Sequence, residues 1–177
     1  MNAIERNFGP IMQNGFVVED LDAAIDHWVR VMNVGPFFVL EHIPFVDTFF
    51  RGAPLDIDLT VAIAYSGEIQ IELIQQHNDA PSIYTEFTRA GRYGLQHMGV
   101  MTDSVADHLA RLEPLGIRPV QHGATAAGAK FAYIDTDVTP GFMIELIESN
   151  AMMTGAFRMI YEAAQQWDGK ERTRGFG

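Results

Sequence analysis

The sequence predicts an α+β chain made of two βαβββ modules followed by a C-terminal helix. Three observations carry that expectation. The tetrapeptide IELI occurs twice, at residues 71–74 within GEIQIELIQ and at 144–147 within PGFMIELIE, each time with a glutamate set among alternating apolar residues. An offset of 84 residues, the separation of Gln13 from His97, lays Gly15 on Gly99, Leu21 on Val105, Ile25 on Leu109 and Trp28 on Leu112. Both aligned stretches read as a strand, a capped turn and a helix.

Residues 8–78 form the first expected module. QNGFVV alternates like a strand, and Asp20 suits the N-cap of a helix whose stripe is Leu21, Ile25, Trp28 and Met32. Asn33 to Pro36 ends that helix, and strand candidates follow at 36–45, 55–65 and 68–76. Residues 79–94 read as a linker in which Ser82 starts a short helix and Gly91 and Gly94 stop it. The second module, 95–149, repeats the plan. LQHMGVM is its first strand, Ser104 with Asp107 resembles a capping box, and Val105, Leu109 and Leu112 form the stripe. Pro114 and Gly116 stop the helix ahead of strands at 117–122, 130–135 and 141–148. Residues 150–177 read as one amphipathic helix with a loose polar tail, its Met152, Met153, Phe157 and Ile160 face either covering the sheet or making a homodimer contact.

Composition narrows the function. With 177 residues and 47% hydrophobic content the chain can bury a core unaided, and the absence of cysteine removes disulfides, thiolate chemistry and sulfur-ligated metal. A formal charge of -11 repels phosphate backbones and anionic headgroups, which argues against nucleic acid and membrane partners. MNAIERNFGP lacks a basic region leading into an apolar stretch, and no apolar run approaches the ~20 residues that span a bilayer. A cytoplasmic protein acting on a small molecule is expected.

Side chains alternate faces along a strand, so Ile71 and Leu73 point one way while Gln70, Glu72 and Ile74 point the other. With the apolar side under the helix, Glu72 looks into the opposite, concave face, and the same parity sends Glu145 there. Gln13 and His97 hold equivalent places, each two residues before its matched glycine. Taken singly, each reads as a polar strand residue facing water. Together, Gln13, Glu72, His97 and Glu145 supply an amide oxygen, two carboxylates and an imidazole, an octahedral shell with room for water. That sulfur-free set suits one divalent ion, Mg, Mn, Co, Ni or Zn, and ligand type alone does not choose among them.

At these residues the chain resembles the vicinal oxygen chelate superfamily, which includes glyoxalase I, methylmalonyl-CoA epimerase, extradiol dioxygenases and bleomycin resistance proteins. The fragments that carry the resemblance are QNGFVVEDLDAAIDHW, GEIQIELIQ, GLQHMGVMTDSVADHLARL and FAYIDTDVTPGFMIELIE, together spanning residues 11–148. The layout is closest to the epimerase branch, whose linker into a GL-x-H-M stretch is similar to SIYTEFTRAGRYGLQHMGV. The resemblance implies paired modules forming a cup-shaped mixed sheet around one divalent metal held by Gln13, Glu72, His97 and Glu145. The epimerase pattern carries His and Gln where Gln13 and Glu72 stand, whereas Gln, Glu, His, Glu is the set associated with glyoxalase I. It also implies a metal-dependent isomerase, epimerase or lyase that removes a proton beside a carbonyl. Glu145 or Glu72 would relay that proton, with Glu145 favoured. A metal-free protein that sequesters an aromatic antibiotic is the alternative. An extradiol dioxygenase fits less well, because its iron wants two histidines and Gln13 takes the place of the first.

The remaining candidates concern the substrate. Phe37, Phe38, Phe45, Phe49 and Phe50, with Tyr65 and Tyr133 on strands that line or flank the cavity, favour an apolar or ring-bearing substrate to the extent that they are not core. A coenzyme A or glutathione conjugate would need cations, for which Arg51, Arg89, Arg92, Arg118 and Lys130 are available. His42 and His122, on strand candidates, could help in proton transfer, whereas His27, His77 and His108 read as helix-surface or loop residues. GATAAGAK at 123–130 nearly mimics a phosphate loop but has Ala129 where the lysine must be, and reads as a flexible loop placed to act as a lid.

Overall fold

Alternating apolar residues set the strands, and apolar residues three or four apart set the helices. The computed structural model describes residues 7–135 and 142–176, so the start of the N-terminal decapeptide and the expected strand start at 141 lie outside the described residues. Strand β1 (Ile11–Val17) passes through Asp20, whose carboxylate accepts from the Ala23 N–H, into helix α1 (Leu21–Met32). Strands β2 (Phe37–Leu40), β3 (Phe45–Phe50), β4 (Ala53–Pro54), β5 (Leu59–Ser66) and β6 (Ile69–Gln76) follow. Ser82 caps helix α2 (Ile83–Arg89) in a capping box closed by Thr85. The second half runs through β7 (Gly94–Thr102), α3 (Val105–Leu112, begun by Ser104), β8 (Pro119–Thr125), β9 (Lys130–Asp135) and β10 (Met143–Glu148). Helix α4 (Ala151–Gln165) and the short strand β11 (Thr173–Arg174) end the chain.

These strands form one mixed sheet in the order β11-β2-β5-β6-β1-β7-β10-β9-β8-β3-β4. At its centre β1 and β7 run antiparallel, flanked in parallel by β6 and β10. The halves β2-β5-β6-β1 and β7-β10-β9-β8 therefore repeat one topology, the expected α+β architecture with a C-terminal helix. Helix α1 packs on Ala62, Ala64, Ile71 and Leu73, and α3 packs on Ala132, Ile134 and Leu146. The other face carries Val61, Ile63, Ile74 and Tyr133 in a separate core that α4 joins through Ile160. Isoleucine and leucine of each IELI thus anchor the helix side, leaving each glutamate on the concave side.

The expected strand at 36–45 is two strands. After Leu40 the chain turns at His42, whose φ of 47° is left-handed, and rejoins the sheet at Phe45 on the opposite edge, paired with β8. Five Cα steps reach at most ~18 Å. A flat sheet would put these edges ~38 Å apart, from eight strand spacings of ~4.8 Å. The sheet must curl until its lips nearly meet, and residues 41–44 are the strap across them.

Other departures have local causes. Val31 and Met32 are 66% and 53% exposed, so the α1 stripe is buried at Leu21 and Ile25, with Trp28 edge-on to Phe16. His108 is buried, not superficial, because its ring bonds Thr102 Oγ1 and the Asn7 carbonyl. The phenylalanines divide between faces: Phe37 packs under α1, Phe38 and Phe50 join the concave core, and Phe49 stacks on His122. Residues 123–130 are not one loop, since Gly123 to Thr125 belong to β8 and Lys130 opens β9 across a tight turn with Gly128 at φ 82°. The tail is not loose either. Strand β11 pairs in parallel with β2, and Arg172 ties it to Asp26 and Asp22 of α1. Ile160 and Phe157 of α4 pack on the concave core, whereas Met152 of the same face is 65% exposed. Among the described residues no helix is long and apolar enough to cross a membrane.

Candidate functional site

The four central strands bring the candidate ligands together in two rows. Gly15 of β1 pairs with Glu72 of β6 on one side and with His97 of β7 on the other. Gly99 of β7 pairs with Gln13 of β1 and with Glu145 of β10. Each glycine therefore separates two candidate ligands, and each clears space for the ligand of the opposite half. A Cβ on Gly15 would lie 2.0 Å from the His97 ring, and one on Gly99 would lie 2.4 Å from Gln13 Oε1. Without those methyls the long side chains fold over the central strands and converge.

Glu72, His97 and Glu145 each offer a ligand atom, all within 4.8 Å of one another. His97 Nε2 stands 3.4 Å from Oε2 of both glutamates, and the imidazole is wholly buried while the carboxylates are 13% and 10% exposed. The amide of Gln13 is turned by its neighbour: Nε2 donates to Gln70 Oε1 at 2.8 Å, and Gln70 Nε2 donates to the Tyr65 hydroxyl at 3.1 Å. Gln13 Oε1 is left buried without a hydrogen-bond partner. His97 Nδ1 lies 2.8 Å from Gln96 Oε1, which fixes Nδ1–H as the donor and turns the Nε2 lone pair toward the carboxylates, where it too has no hydrogen-bond partner. Buried polar atoms are normally satisfied, and this site gathers orphaned acceptors around two anions. Such a set fits a divalent ion, which would accept electron pairs from all of them.

Without a cation, a proton must take its place. Burial opposes charge on His97, but the pull of Glu145 and Glu72 on a proton placed at Nε2, 3.4 Å from each, outweighs it and lifts the imidazole to about 9. Burial also raises Glu72, assisted by Glu145 and countered by His97. A folded-state value above the unfolded one stabilises the fold below the unfolded value and loses that stabilisation as pH climbs through the folded one. Metal-free protein is therefore expected to lose thermal stability between about pH 6.5 and 9, a decline that saturating zinc should flatten. Melting curves across that range, with and without metal, test this; an unchanged decline with zinc would count against ligation by His97.

Two tyrosines complete the floor. The hydroxyl of Tyr84, from α2, donates to that of Tyr133 at 2.7 Å, and the Tyr133 ring stands edge-on to His97 at 5.1 Å. Burial, then the charge of Glu145, holds both phenols well above their ordinary range, so both stay protonated. A cavity of about 1350 Å³ opens above, with Gln13, Glu72, Glu145, Tyr84 and Tyr133 in its lining. It extends past the strap to the first turn of α1.

The structure brings Glu72, His97 and Glu145 into one cluster and sets Gln13 across Gly99 from Glu145. His42 sits on the strap, bonded to Asp58 Oδ1 at 2.7 Å, and lines the cavity away from the cluster; His122 lies outside the lining. Sequence reasoning used Gly15 and Gly99 only as alignment marks, although a glycine two residues after Gln13 and after His97 was the available signal for their role. It also missed Gln70 and Gln96, whose parity or adjacency to the ligands could have flagged them, and Tyr84, which a linker helix gave no reason to choose.

The sequence model of the Glyoxalase/Bleomycin resistance protein/Dioxygenase superfamily matches residues 12–133, a span that holds Gln13, Glu72 and His97. No curated protein matches the chain. Among solved structures it is similar to methylmalonyl-CoA epimerase from Mycobacterium tuberculosis, at 19% identity over 88% of this chain and 97% of that one, with a TM-score of 0.60. A variant methylmalonyl-CoA epimerase of Streptomyces coelicolor in complex with 2-nitronate-propionyl-CoA is similar at 16% identity, 81% and 96% coverage and a TM-score of 0.54. A hypothetical protein from Bacillus halodurans C-125 follows at 17%, 80% and 94%, with 0.58. At these identities the likeness is one of fold.

Proposed function

We propose, from the premise that the chain belongs to the glyoxalase/bleomycin resistance protein/dioxygenase superfamily, that it is a divalent-metal-dependent isomerase, epimerase or lyase. It acts by taking a proton from the carbon beside a carbonyl, on a hydrophobic or thioester-type substrate. One observation carries the reading: His97 Nε2, buried, meets two carboxylates from opposite halves, and Gln13 Oε1 is buried without a hydrogen-bond partner.

Gln13, Glu72, His97 and Glu145 would hold the ion, whose chemistry when bound is to polarise the carbonyl and so acidify the neighbouring C–H. The chain's own residues supply the rest. Glu145 is the favoured base, because it stands on the strand beside Tyr133, its partner in the β9 ladder. Glu72 faces the same centre from the other half, which suits a reaction that takes a proton from one face and returns it to the other. Tyr84 and Tyr133 remain protonated and polar at the floor, and the apolar walls keep water from competing for the proton.

A sequestering protein would have no use for orphaned acceptors around paired carboxylates. Extradiol chemistry wants a second histidine, and among the described residues His97 is the one histidine in the cluster. Elemental analysis of protein purified without chelators is expected to find about one divalent ion per chain, and none in His97→Ala. If both preparations are metal-free and added zinc, nickel or manganese leaves the melting temperature unmoved, the enzyme reading fails.

A further inference from the structure

We infer that the substrate is a bulky, uncharged, ring-bearing carbonyl compound rather than a coenzyme A or glutathione conjugate; the inference rests on the proton-abstraction reading above. Size calls for a bulky ligand, and the walls and charge choose its kind. The cavity, at about 1350 Å³, exceeds the ~300–1,000 Å³ usual for small-molecule pockets. Its walls include Leu40, Ile43, Val61 and Ile160, and α4 adds Met152 and Met153, whose flexible thioethers adapt to irregular shapes.

A line of aromatic rings leads down to the site. Phe45 stands edge-on to Phe131 at 5.8 Å, Phe131 to Tyr133 at 5.8 Å, and Tyr133 to His97 at 5.1 Å. Phe45, Phe131 and Tyr133 all line the cavity. A ring-bearing ligand lying along that wall finds edges and faces at the spacing aromatic pairs prefer, and its leading carbonyl arrives beside His97.

Charge excludes the alternative. A conjugate rich in phosphates or carboxylates needs available cations, and the chain engages every lysine, arginine and histidine in the lining. Lys130 pairs with Glu148 at 3.1 Å, Arg174 with Glu171 at 2.7 Å, and Arg172 with Asp26 and Asp22. His42 is held by Asp58 and His77 by Thr60. Exposed pairs of this kind are individually weak, so the total charge decides. Glu148, Glu171, Asp22 and Asp26 offset those three cations, on a chain of net charge -11. Arg51, Arg89, Arg92 and Arg118 lie outside the lining.

The test is calorimetric titration of the full-length, zinc-loaded protein with progesterone, an uncharged four-ring ketone, and with propionyl-CoA. Deuterium exchange beside each carbonyl is followed in parallel. Progesterone is expected to bind at least tenfold more tightly, with an affinity unchanged by added salt, and Phe131→Ala to weaken it at least fivefold. Glu171→Gln, an exposed change that unpairs Arg174, is expected to strengthen propionyl-CoA binding and leave progesterone alone. Should Phe131→Ala fail to fold, Phe45→Ala gives the same readout higher on the wall. Tighter binding of propionyl-CoA than of progesterone overturns the substrate class, and its exchange in that case leaves the proton chemistry standing. Progesterone bound but not exchanged supports the class and counts against the chemistry. Binding of neither probe overturns the class.

Discussion

Glu145→Gln is expected to lower the rate of proton exchange beside a substrate carbonyl by about 10²–10⁴-fold while the fold survives. The substitution is isosteric and keeps the residue's place between β7 and β9, where Glu145 pairs with Gly99 and Tyr133. It removes one of the two charges that face His97 Nε2 at 3.4 Å, and with it the base. Circular dichroism should be unchanged and metal content reduced but measurable. Glu72→Gln, assayed beside it, separates ligation from proton transfer: the variant that retains its ion yet loses exchange identifies the base. A Glu145→Gln protein with more than a tenth of native activity would remove Glu145 from the reaction.

Gly15→Ala should cost both stability and metal through a single methyl. Its Cβ would lie 2.0 Å from His97 Cε1 and 2.1 Å from Nε2, so the imidazole must leave the place in which it meets the carboxylates. Overpacking of this kind costs about 1–3 kcal/mol, a fall of about 2 to 12 °C in Tm for a chain of this size. The fall should be accompanied by loss of the bound ion. Gly155→Ala is the control, because nothing lies within 4 Å of a Cβ there and the residue is inside α4. It should hold or raise Tm with metal content unchanged. Equal metal loss in both variants, or none in Gly15→Ala, would show that Gly15 does not clear the site.

The parts of the fold legible in the sequence were those written in local periodicity. Parity along IELI separated Ile71 and Leu73 from Glu72, and the 84-residue offset added Gln13 and His97, because a strand's alternation survives whatever it packs against. Segments whose form depends on distant partners were not legible. Val46 to Phe50 joins β8 across the cup, with Asp47 at φ 48° and a slipped register, and nothing in FVDTFF announces an edge so remote. The tail KERTRGFG has no apolar alternation; it becomes a strand because β2 offers an open edge and α1 offers Asp22 and Asp26 to Arg172. The candidate site divides in the same way. Ligand types and faces follow from sequence, whereas the clearance made by Gly15 and Gly99 exists only once β1 and β7 lie side by side.

The strap at 41–44 constrains how molecules reach the floor. Parting the two halves about the β1 and β7 seam would pull Phe45 and Phe50 away from Thr125 and Gln121 and break a ladder that ties the first half to the far edge of the second. The cup is in effect a hooped vessel, unable to gape like a clam. Traffic to and from the tyrosine floor therefore passes beside the hoop, through the gap bounded by the strap, the β8 to β9 turn and the first turn of α4. A ligand that enters there leaves the two halves in registration throughout.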